Sequence, residues 1–462
     1  MMRNPSRQVV ESHSDYHLGR RCLAVAVLLS VLITAMAFSY YSIFFLPLTV
    51  IATLMLSRSP DFFGLILCLL ISLSFSYFFS LGSIPDIVLI VRILILLSIV
   101  IVYCRAQSAN FEYKHATFWF GLFILVASIS SYRYSIYVGI SEAKILFCGL
   151  FIGGLLLTAR PSPSFPSVAL GAIGAIAFLS LFCYLFIPYI GYAFVLDPNA
   201  GREAEGKFSG IMNHPQLLAA ILAVNLPLML YAYIHKNGLA SRFGIGAFIA
   251  SLCLIALSSS RTGLLAAIAS SSCALYFFRK HAVSPTVKSR VTIVIAWLFL
   301  AVCICSIFAM NEAKAFIFKS GESGEGFNLS GRDKIIAASW DGFLANPLFG
   351  NGFQVPSDYT EHGAAGFGLT SESTSIEKCF FITMLLEEVG IVGTTLFLSM
   401  LWALISQWRR KGSYVSIAAL VSFLVINTGE SCILSPSSVG GLCWLSIFAA
   451  HNLRLSTQPL PP

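Results

Sequence analysis

The sequence predicts an all-α membrane protein, a polytopic bundle of about fourteen transmembrane helices that forms one membrane domain over residues 1–462. Its composition is the first reason. Hydrophobic residues make up 57% of the chain and charged residues only 11%, whereas about 25% of the residues in soluble domains are charged. Apolar runs long enough to cross a bilayer are the second reason, because they recur along nearly the whole chain. An ordinary soluble protein is excluded.

The candidate spans are apolar runs bounded by charged residues, Pro or Gly. In chain order they lie at about 20–38, 41–56, 61–80, 86–103, 116–131, 134–158, 167–187, 215–234, 242–258, 262–278, 291–310, 379–405, 413–431 and 438–453. Two longer loops separate some of them, at 188–214 and at 311–378, and both fall on the same side of the membrane.

The 29 Lys and Arg residues are distributed unevenly around these spans. If the N-terminus is cytoplasmic, eighteen of the 29 lie on the cytoplasmic side, nine lie on the other side, and Arg92 and Lys144 lie inside spans. Because basic residues favour the cytoplasmic side, we predict cytoplasmic termini and exoplasmic long loops. The net charge of +8 is then an orientation signal, and no nucleic-acid partner is predicted.

Some of the nine exoplasmic bases are candidates for an anion site. Arg202 and Lys207 lie in the first long loop, where Gly201 to Phe208 nearly match a nucleotide-binding P-loop but lack its hydroxyl residue, so we reject nucleotide binding. Arg261 follows three serines at a tight turn between two spans. Each cation is either a solvated or snorkelling charge or part of a site for an anion at the membrane surface.

The second long loop contains a predicted amphipathic helix. Ser330 is a suitable N-cap, Asn346-Pro347 ends the run, and the apolar face comprises Ile336, Trp340 and Phe343. Arg332 falls in the first turn, where a cation gains if an anion joins it. The alternative is a surface helix with an indifferent arginine. The loop as a whole is net acidic, so any anion site in it must be local.

Candidate proton acceptors precede the twelfth span. Glu377 and His362 are the first and second choices for a base that takes a proton from a hydroxyl nucleophile. Solvated loop residues are the alternative for each. The chain contains no Asp-x-Asp motif, so neither a metal nor a cofactor is predicted.

Charged residues inside predicted spans need partners or a wet cavity. Glu142 and Lys144 are two positions apart, so they lie on different faces of a helix and each is expected to pair with another span. We predict no internal repeat and no broken helix at mid-membrane, which argues against a transporter built from two similar halves.

Four stretches between about residues 200 and 400 combine glycines, charged residues and prolines at defined spacings. They are Lys207-Phe-Ser-Gly-Ile-Met-Asn-His214-Pro215, Ser260-Arg261-Thr-Gly263, Gly331-Arg332 through Trp340 to Asn346-Pro347-Leu-Phe-Gly350-Asn-Gly352, and Leu385-Leu-Glu387-Glu388-Val-Gly390-Ile-Val-Gly393. Together they resemble the O-antigen ligase and polysaccharide polymerase superfamily of bacterial inner membranes. Ligases of this superfamily usually place a His-Asn pair shortly before the last stretch, whereas polymerase-like members more often have an acid there. Glu377 therefore favours a polymerase.

The resemblance implies a fold similar to the GT-C type and a metal-independent glycosyl transfer at the outer face of the inner membrane. The donor would be a glycan linked to undecaprenyl diphosphate, the second substrate a glycan acceptor, and membrane lipid and polysaccharide-export proteins further partners. Arg332, Glu377 and His362 would be catalytic, and Arg202, Lys207 and Arg261 would bind the donor. A ligase that transfers to lipid or protein is the alternative, and a lipid-linked oligosaccharide transporter is the alternative from another class.

Overall fold

The computed structural model describes residues 113–453, except for 136–137, 158–164, 193–206, 213, 283, 309–331, 355–379, 436–438 and 452. Over this range the regular elements are helices, and one β-bridge joins Tyr192 to Phe208. The helices are α1 (Lys114–Tyr134), α2 (Val138–Leu157), α3 (Phe165–Phe186), α4 (Pro188–Gly191), α5 (Pro215–His235), α6 (Gly238–Leu257), α7 (Arg261–Lys280), α8 (Pro285–Phe308), α9 (Arg332–Ala345), α10 (Phe381–Lys411), α11 (Tyr414–Ile426) and α12 (Val439–Ala450).

The all-α membrane bundle is confirmed for the described residues. Each of the ten spans predicted there coincides with a helix. Six of these helices are long and apolar enough to cross a membrane, namely α1, α3, α5, α6, α7 and α10. The first four predicted spans, and Arg92 with them, lie outside the described residues, so the total of about fourteen stays a prediction.

Helix α5 is the centre of one group of helices. Its sequence is apolar on every face, which is typical of a helix surrounded by protein, and most of its side chains are buried. It packs against α3, α6, α7, α11 and α12. Gly244 of α6 approaches it so closely that a Cβ there would lie 2.8 Å from the Met229 carbonyl oxygen. The core around α5 therefore fixes the position of its N-terminus.

Helices α1, α2 and α10 form a second group, with α9 packed on α10. The ring of Phe123 in α1 contacts Phe397 of α10 at 5.4 Å between centroids. At the far end of the same pair, the Trp408 indole donates to the Tyr113 hydroxyl over 3.2 Å. Helix α10 is thus held along most of its length by α1.

Helix α10 is broken, which contradicts the uninterrupted span predicted at 379–405. Gly390 has φ 65° and ψ −171°, a conformation outside the helical region. The prediction of no broken helix is therefore wrong at this position. The last two predicted spans are also shorter than expected, because α11 has 13 residues and α12 has 12.

The break in α10 is filled by residues 346–354, which we call the wedge. The carbonyl oxygens of Glu387 and Glu388 accept from the backbone N–H groups of Asn351 (2.8 Å) and Gly352 (3.1 Å). In return, the N–H groups of Ile391 and Val392 donate to Pro347 (2.9 Å) and Leu348 (3.3 Å). Four hydrogen bonds to the wedge thereby replace two i to i+4 hydrogen bonds of α10. Each C=O and N–H group that the break separates therefore has a new partner.

Two glycines make this insertion possible. Gly350 has φ 73°, and a Cβ there would lie 2.4 Å from the backbone carbon of Glu388. A Cβ on Gly390 would lie 2.3 Å from the Leu348 backbone. Only glycine combines a positive φ with such close approach of two backbones. The Pro-x-x-Gly-x-Gly stretch from Pro347 to Gly352 is therefore a structural motif that fits a loop into a helix.

The described loops divide between the two ends of the bundle. One end, the loop end, gathers residues 207–214, 258–261, 346–354 and 427–435, which adjoin the N-termini of α5, α7, α10 and α12. Four described bases adjoin these loops, namely Arg133, Lys144, Lys207 and Arg261, and Arg332 and Lys334 belong to α9, which leads into 346–354. The opposite end carries more of them, namely Lys114, Lys236, Arg242, Arg279, Lys280, Lys288, Arg290, Arg409, Arg410 and Lys411. The described bases are therefore concentrated at the opposite end, and the side of the membrane on which that end lies stays a prediction.

Candidate active site

The N-termini of α5 and α7 lie side by side at the loop end. Gly263, in the first turn of α7, is so close to α5 that a Cβ there would lie 2.5 Å from the Cβ of Ala219. Both helices therefore direct their free N–H groups and the positive ends of their dipoles toward the same region. Two such ends together favour an anion more than one alone.

Each of these N-termini has a side-chain cap. The Ser260 hydroxyl accepts from the Gly263 N–H at 3.1 Å, so it fixes the turn from which Arg261 begins α7. The His214 Nδ1 accepts from the Gln216 N–H at 3.2 Å ahead of Pro215. Pro at the first helical position costs no hydrogen bond, because its missing N–H has no helical partner there.

Lys207 is positioned by its neighbour Phe208. The Phe208 side chain is fully buried and contacts the rings of Tyr184 and Tyr192 at 5.5 and 5.6 Å between centroids. Gly191 leaves room for this ring, because a Cβ at Gly191 would lie 2.2 Å from it. The phenylalanine that replaces the P-loop hydroxyl is thus an anchor, and it holds Lys207 at the loop end.

The backbone after Phe208 is fixed as well. The N–H groups of Ser209 and Gly210 both donate to the Gly191 carbonyl, over 2.7 and 3.0 Å. The Ile211 N–H donates to the Ser180 hydroxyl of α3 at 3.2 Å. This connection between Lys207 and the N-terminus of α5 therefore has a defined path.

His214 joins this group of polar residues, although the sequence analysis did not choose it as a site residue. Burial lowers its pKa below the ordinary value of 6.5, and the nearby charge of Lys207 lowers it further. The imidazole is therefore neutral at pH 7. Because Nδ1 accepts the cap bond, the proton lies on Nε2. The sequence signal was the His-Pro pair immediately before an apolar run.

The predicted site residues are only partly brought together. Lys207 and Arg261, both half-buried, adjoin the paired N-termini of α5 and α7. Arg332 is the first residue of α9, and α9 packs on α10. Arg202, His362 and Glu377 lie outside the described residues, so their predicted roles stay predictions.

The predicted helix at Arg332 is confirmed over the described residues, and its predicted N-cap, Ser330, lies outside them. Its predicted apolar face is wrong at Trp340, whereas Ile336 and Phe343 are half-buried. Helix α9 runs to Ala345 and ends directly before Asn346-Pro347. Ser339 is only 5% exposed, whereas Trp340 is 46% exposed. Apolar spacing identified the helix, but it did not distinguish the side that packs on α10 from the side that faces away from the bundle.

No group of three or more His, Cys, Asp or Glu side chains is placed to hold a metal ion within the described part of the chain. The described site consists instead of cations and N–H donors. Such an arrangement binds and stabilises negative charge without a metal.

One family model matches the chain. It is described as O-Antigen ligase (Wzy_C), and it matches residues 246–376. The match confirms, for little more than a quarter of the chain, the resemblance drawn from the motifs. It includes Arg261, Arg332 and His362, and it ends one residue before Glu377. Glycan transfer of the O-antigen ligase type is the activity that this family implies. No curated protein matches the chain.

Proposed function

We propose that the chain polymerises lipid-linked oligosaccharide repeat units at the outer face of a bacterial inner membrane. The observation that carries this proposal is the convergence of the α5 and α7 N-termini, with Lys207 and Arg261 beside them. Two positive helix ends and two cations at the end of a membrane bundle suit the diphosphate of a membrane-embedded donor. Undecaprenyl diphosphate carrying a glycan is that donor.

The transfer makes one bond and breaks one. The oxygen of an acceptor sugar hydroxyl bonds to the anomeric carbon of the donor glycan, and the bond from that carbon to the diphosphate oxygen breaks. The electron pair leaves with the diphosphate, whose negative charge grows in the transition state. Fixed cations and N–H donors in a partly dry site stabilise that charge, which is how Lys207, Arg261 and Arg332 would accelerate the step.

The hydroxyl proton needs a base. Glu377 is the proposed acceptor of that proton, with His362 the second choice, because each precedes α10 on the loop that follows the wedge. The acid at position 377, where ligases of the superfamily usually carry a His-Asn pair, is the reason to propose a polymerase. Arg202 is proposed as a further donor-binding cation.

A ligase is the second candidate, because the matching family model is described as O-Antigen ligase. Its chemistry is the same and only the acceptor differs. A transporter is favoured less. The break in α10 resembles those that line transport sites, but the backbone groups freed by the break are hydrogen-bonded to the wedge and are therefore not available to a substrate.

Replacing Arg332 by Ala or Lys tests the proposed function in cells. We expect shorter polymer and lower yield from Arg332→Ala, with activity reduced by about a hundredfold or more if Arg332 stabilises the leaving diphosphate. Arg332→Lys should retain part of the activity, because it keeps the charge but loses the bidentate geometry. Unchanged polymer length and yield in Arg332→Ala would remove Arg332 from the mechanism.

A second assay separates the polymerase from the ligase. Purified protein receives lipid-linked repeat units alone, or repeat units together with a lipid or protein acceptor. Longer glycans from the repeat units alone support a polymerase. Transfer that occurs only when the other acceptor is present supports a ligase. Movement of the intact lipid-linked donor across the membrane, with no new glycosidic bond, supports a transporter.

A further inference from the structure

Lys144 is an ionisable residue in the second turn of α2, where most neighbouring positions are apolar. A charge at such a place needs a defined partner. The sequence predicted that this partner would come from another span. In the structure, the Lys144 Nζ donates to the backbone carbonyl of Gln354 over 2.7 Å. Gln354 is the last residue of the wedge.

Gln354 is held from two sides. Its carbonyl accepts from Lys144, and its side-chain Nε2 donates to the Leu434 carbonyl at 2.7 Å. Leu434 lies between α11 and α12. Gln354 also has φ 51°, a left-handed conformation that costs free energy for a residue with a Cβ. A strained residue persists only where surrounding contacts fix it, and here α2 and the 427–435 loop supply those contacts.

A closed ring of hydrogen bonds holds the preceding residue. The Phe353 N–H donates to the Ser131 hydroxyl at 3.0 Å, and the Ser141 hydroxyl donates to the Phe353 carbonyl at 2.7 Å. The two hydroxyl oxygens lie 2.6 Å apart. Since Ser141 uses its one proton on Phe353, Ser131 donates to Ser141. All three residues are buried, so this ring ties the wedge to α1 and α2 in a dry place.

The wedge is connected along the chain to the residues that are proposed to carry out the reaction. Helix α9 starts at Arg332 and continues directly into the wedge. After Gln354 the chain passes through Glu377 and returns to α10 at Phe381, whose N–H donates to the Asn427 carbonyl at 3.0 Å. Along the chain, the end of the wedge therefore comes after the proposed diphosphate-stabilising residue and before the proposed base.

We propose that Lys144 is a positioning residue for glycan transfer, which acts by fixing the Gln354 end of the wedge. This inference rests on the proposed function. An ammonium is used because a charge-assisted hydrogen bond to a carbonyl is stronger than a neutral one, and because Gln354 must be kept in a strained conformation. Without it, the Gln354 end of the wedge is held less firmly, and α9, which begins at Arg332 and leads directly into the wedge, is held less firmly in turn.

The direct test is amide hydrogen exchange of the intact protein in nanodiscs, read on peptides covering Asn351 to Gln354. Lys144→Met removes the charge and keeps most of the side-chain volume. We expect the exchange of these amides to accelerate by about tenfold or more. Lys144→Arg should restore most of the protection, because a guanidinium can also donate to the carbonyl. Lys114→Met, an exposed lysine at the opposite end of α1, is the matched control and should leave exchange unchanged.

Kinetics distinguish positioning from general stability. With lipid-linked repeat units as the donor, Lys144→Met should lower kcat by about tenfold or more while KM for the donor stays within about twofold. Ser141→Ala, which removes one bond to Phe353, is a milder second variant and should accelerate exchange of the same peptide by less than Lys144→Met. Wild-type exchange rates in both Lys144→Met and Ser141→Ala would overturn the proposal.

The two proposals fail in different ways. If Lys144→Met accelerates exchange of the wedge but the wild-type protein transfers no glycan, then Lys144 does fix the wedge and the proposed function fails. If the wild-type protein transfers glycan and Lys144→Met exchanges faster yet keeps its kcat, the wedge is anchored by Lys144 but does not position the reaction, and the proposal is overturned.

Discussion

Small residues bring two backbones close together both in the α5–α7 pair and at the junction of the wedge with α10. The two regions differ in what the close approach does. At the first, Gly263 meets Ala219, and the positive ends of two capped helices lie side by side. At the second, Gly350 and Gly390 let four backbone bonds form between loop and helix. The comparison separates a proposed binding region from a structural one, although both stretches belong to motifs that resemble the same superfamily.

The largest effect is expected from a substitution that disrupts the junction of the wedge with α10. Gly390→Ala places a methyl group at a positive φ and 2.3 Å from the Leu348 backbone. Because both partners are backbone, neither can move aside, and we expect a loss of about 3 kcal/mol or more of stability. The measurement is the yield of monodisperse protein and its Tm in detergent.

Gly121→Ala is the control for that variant. Gly121 lies in α1 with open space around its Cβ position, so alanine should be neutral or slightly stabilising there. Equal Tm values for the two alanine variants would mean that the wedge does not depend on the close approach at Gly390.

A smaller effect is expected when the first region is pushed apart. Gly263→Ala sets a methyl group against Ala219, so α7 must shift away from α5. We expect a destabilisation of about 1–3 kcal/mol and a higher KM for the donor, because the two helix ends separate. Gly246→Ala in α6, where the nearest atom would be 3.6 Å away, serves as control. A destabilised Gly263→Ala protein with an unchanged KM would contradict a joint binding site.

The smallest effect concerns His214 and pH. Because the pKa of this imidazole is lower in the folded protein than its ordinary 6.5, the unfolded chain binds more protons as the pH falls below 6.5. His214 therefore contributes stability above that pH and loses it as the pH falls further. His214→Asn keeps an N-cap acceptor but cannot titrate.

The Tm of the wild-type protein should fall more steeply between about pH 7 and 5 than that of His214→Asn. Parallel Tm curves for the two proteins would show that His214 does not titrate with a lowered pKa. A comparison of KM for the donor between the wild-type protein and His214→Asn at pH 7 also shows whether the neutral imidazole assists donor binding.

Much of the fold follows from the sequence because apolar runs and charge asymmetry are local signals. The end of α9 was predicted by Asn346-Pro347, and the turn before α7 by the serines that precede Arg261. The break in α10 was not predicted, because a single glycine in an apolar run is also compatible with a continuous helix. Its cause is four hydrogen bonds to residues about 40 positions earlier in the chain.

The site was predicted less completely for the same reason. Arg261 and Lys207 were identified from their side of the membrane, but the contact of α5 with α7 that unites them depends on packing between Ala219 and Gly263. The carbonyl partner of Lys144 was equally hidden, since a backbone acceptor leaves no mark in the sequence. The exposed Trp340 shows that apolar spacing alone does not identify the buried side of α9.

The central claim is that the cations beside the α5 and α7 N-termini hold the diphosphate of a lipid-linked donor. It is tested most directly by a single-turnover assay of purified protein with undecaprenyl diphosphate-linked repeat units in the presence of EDTA, in which Arg261→Ala is compared with Arg279→Ala. These two arginines lie at opposite ends of α7. The account predicts that Arg261→Ala slows glycan transfer by about a hundredfold or more, while Arg279→Ala stays at the wild-type rate. Equal rates for the two variants would contradict it.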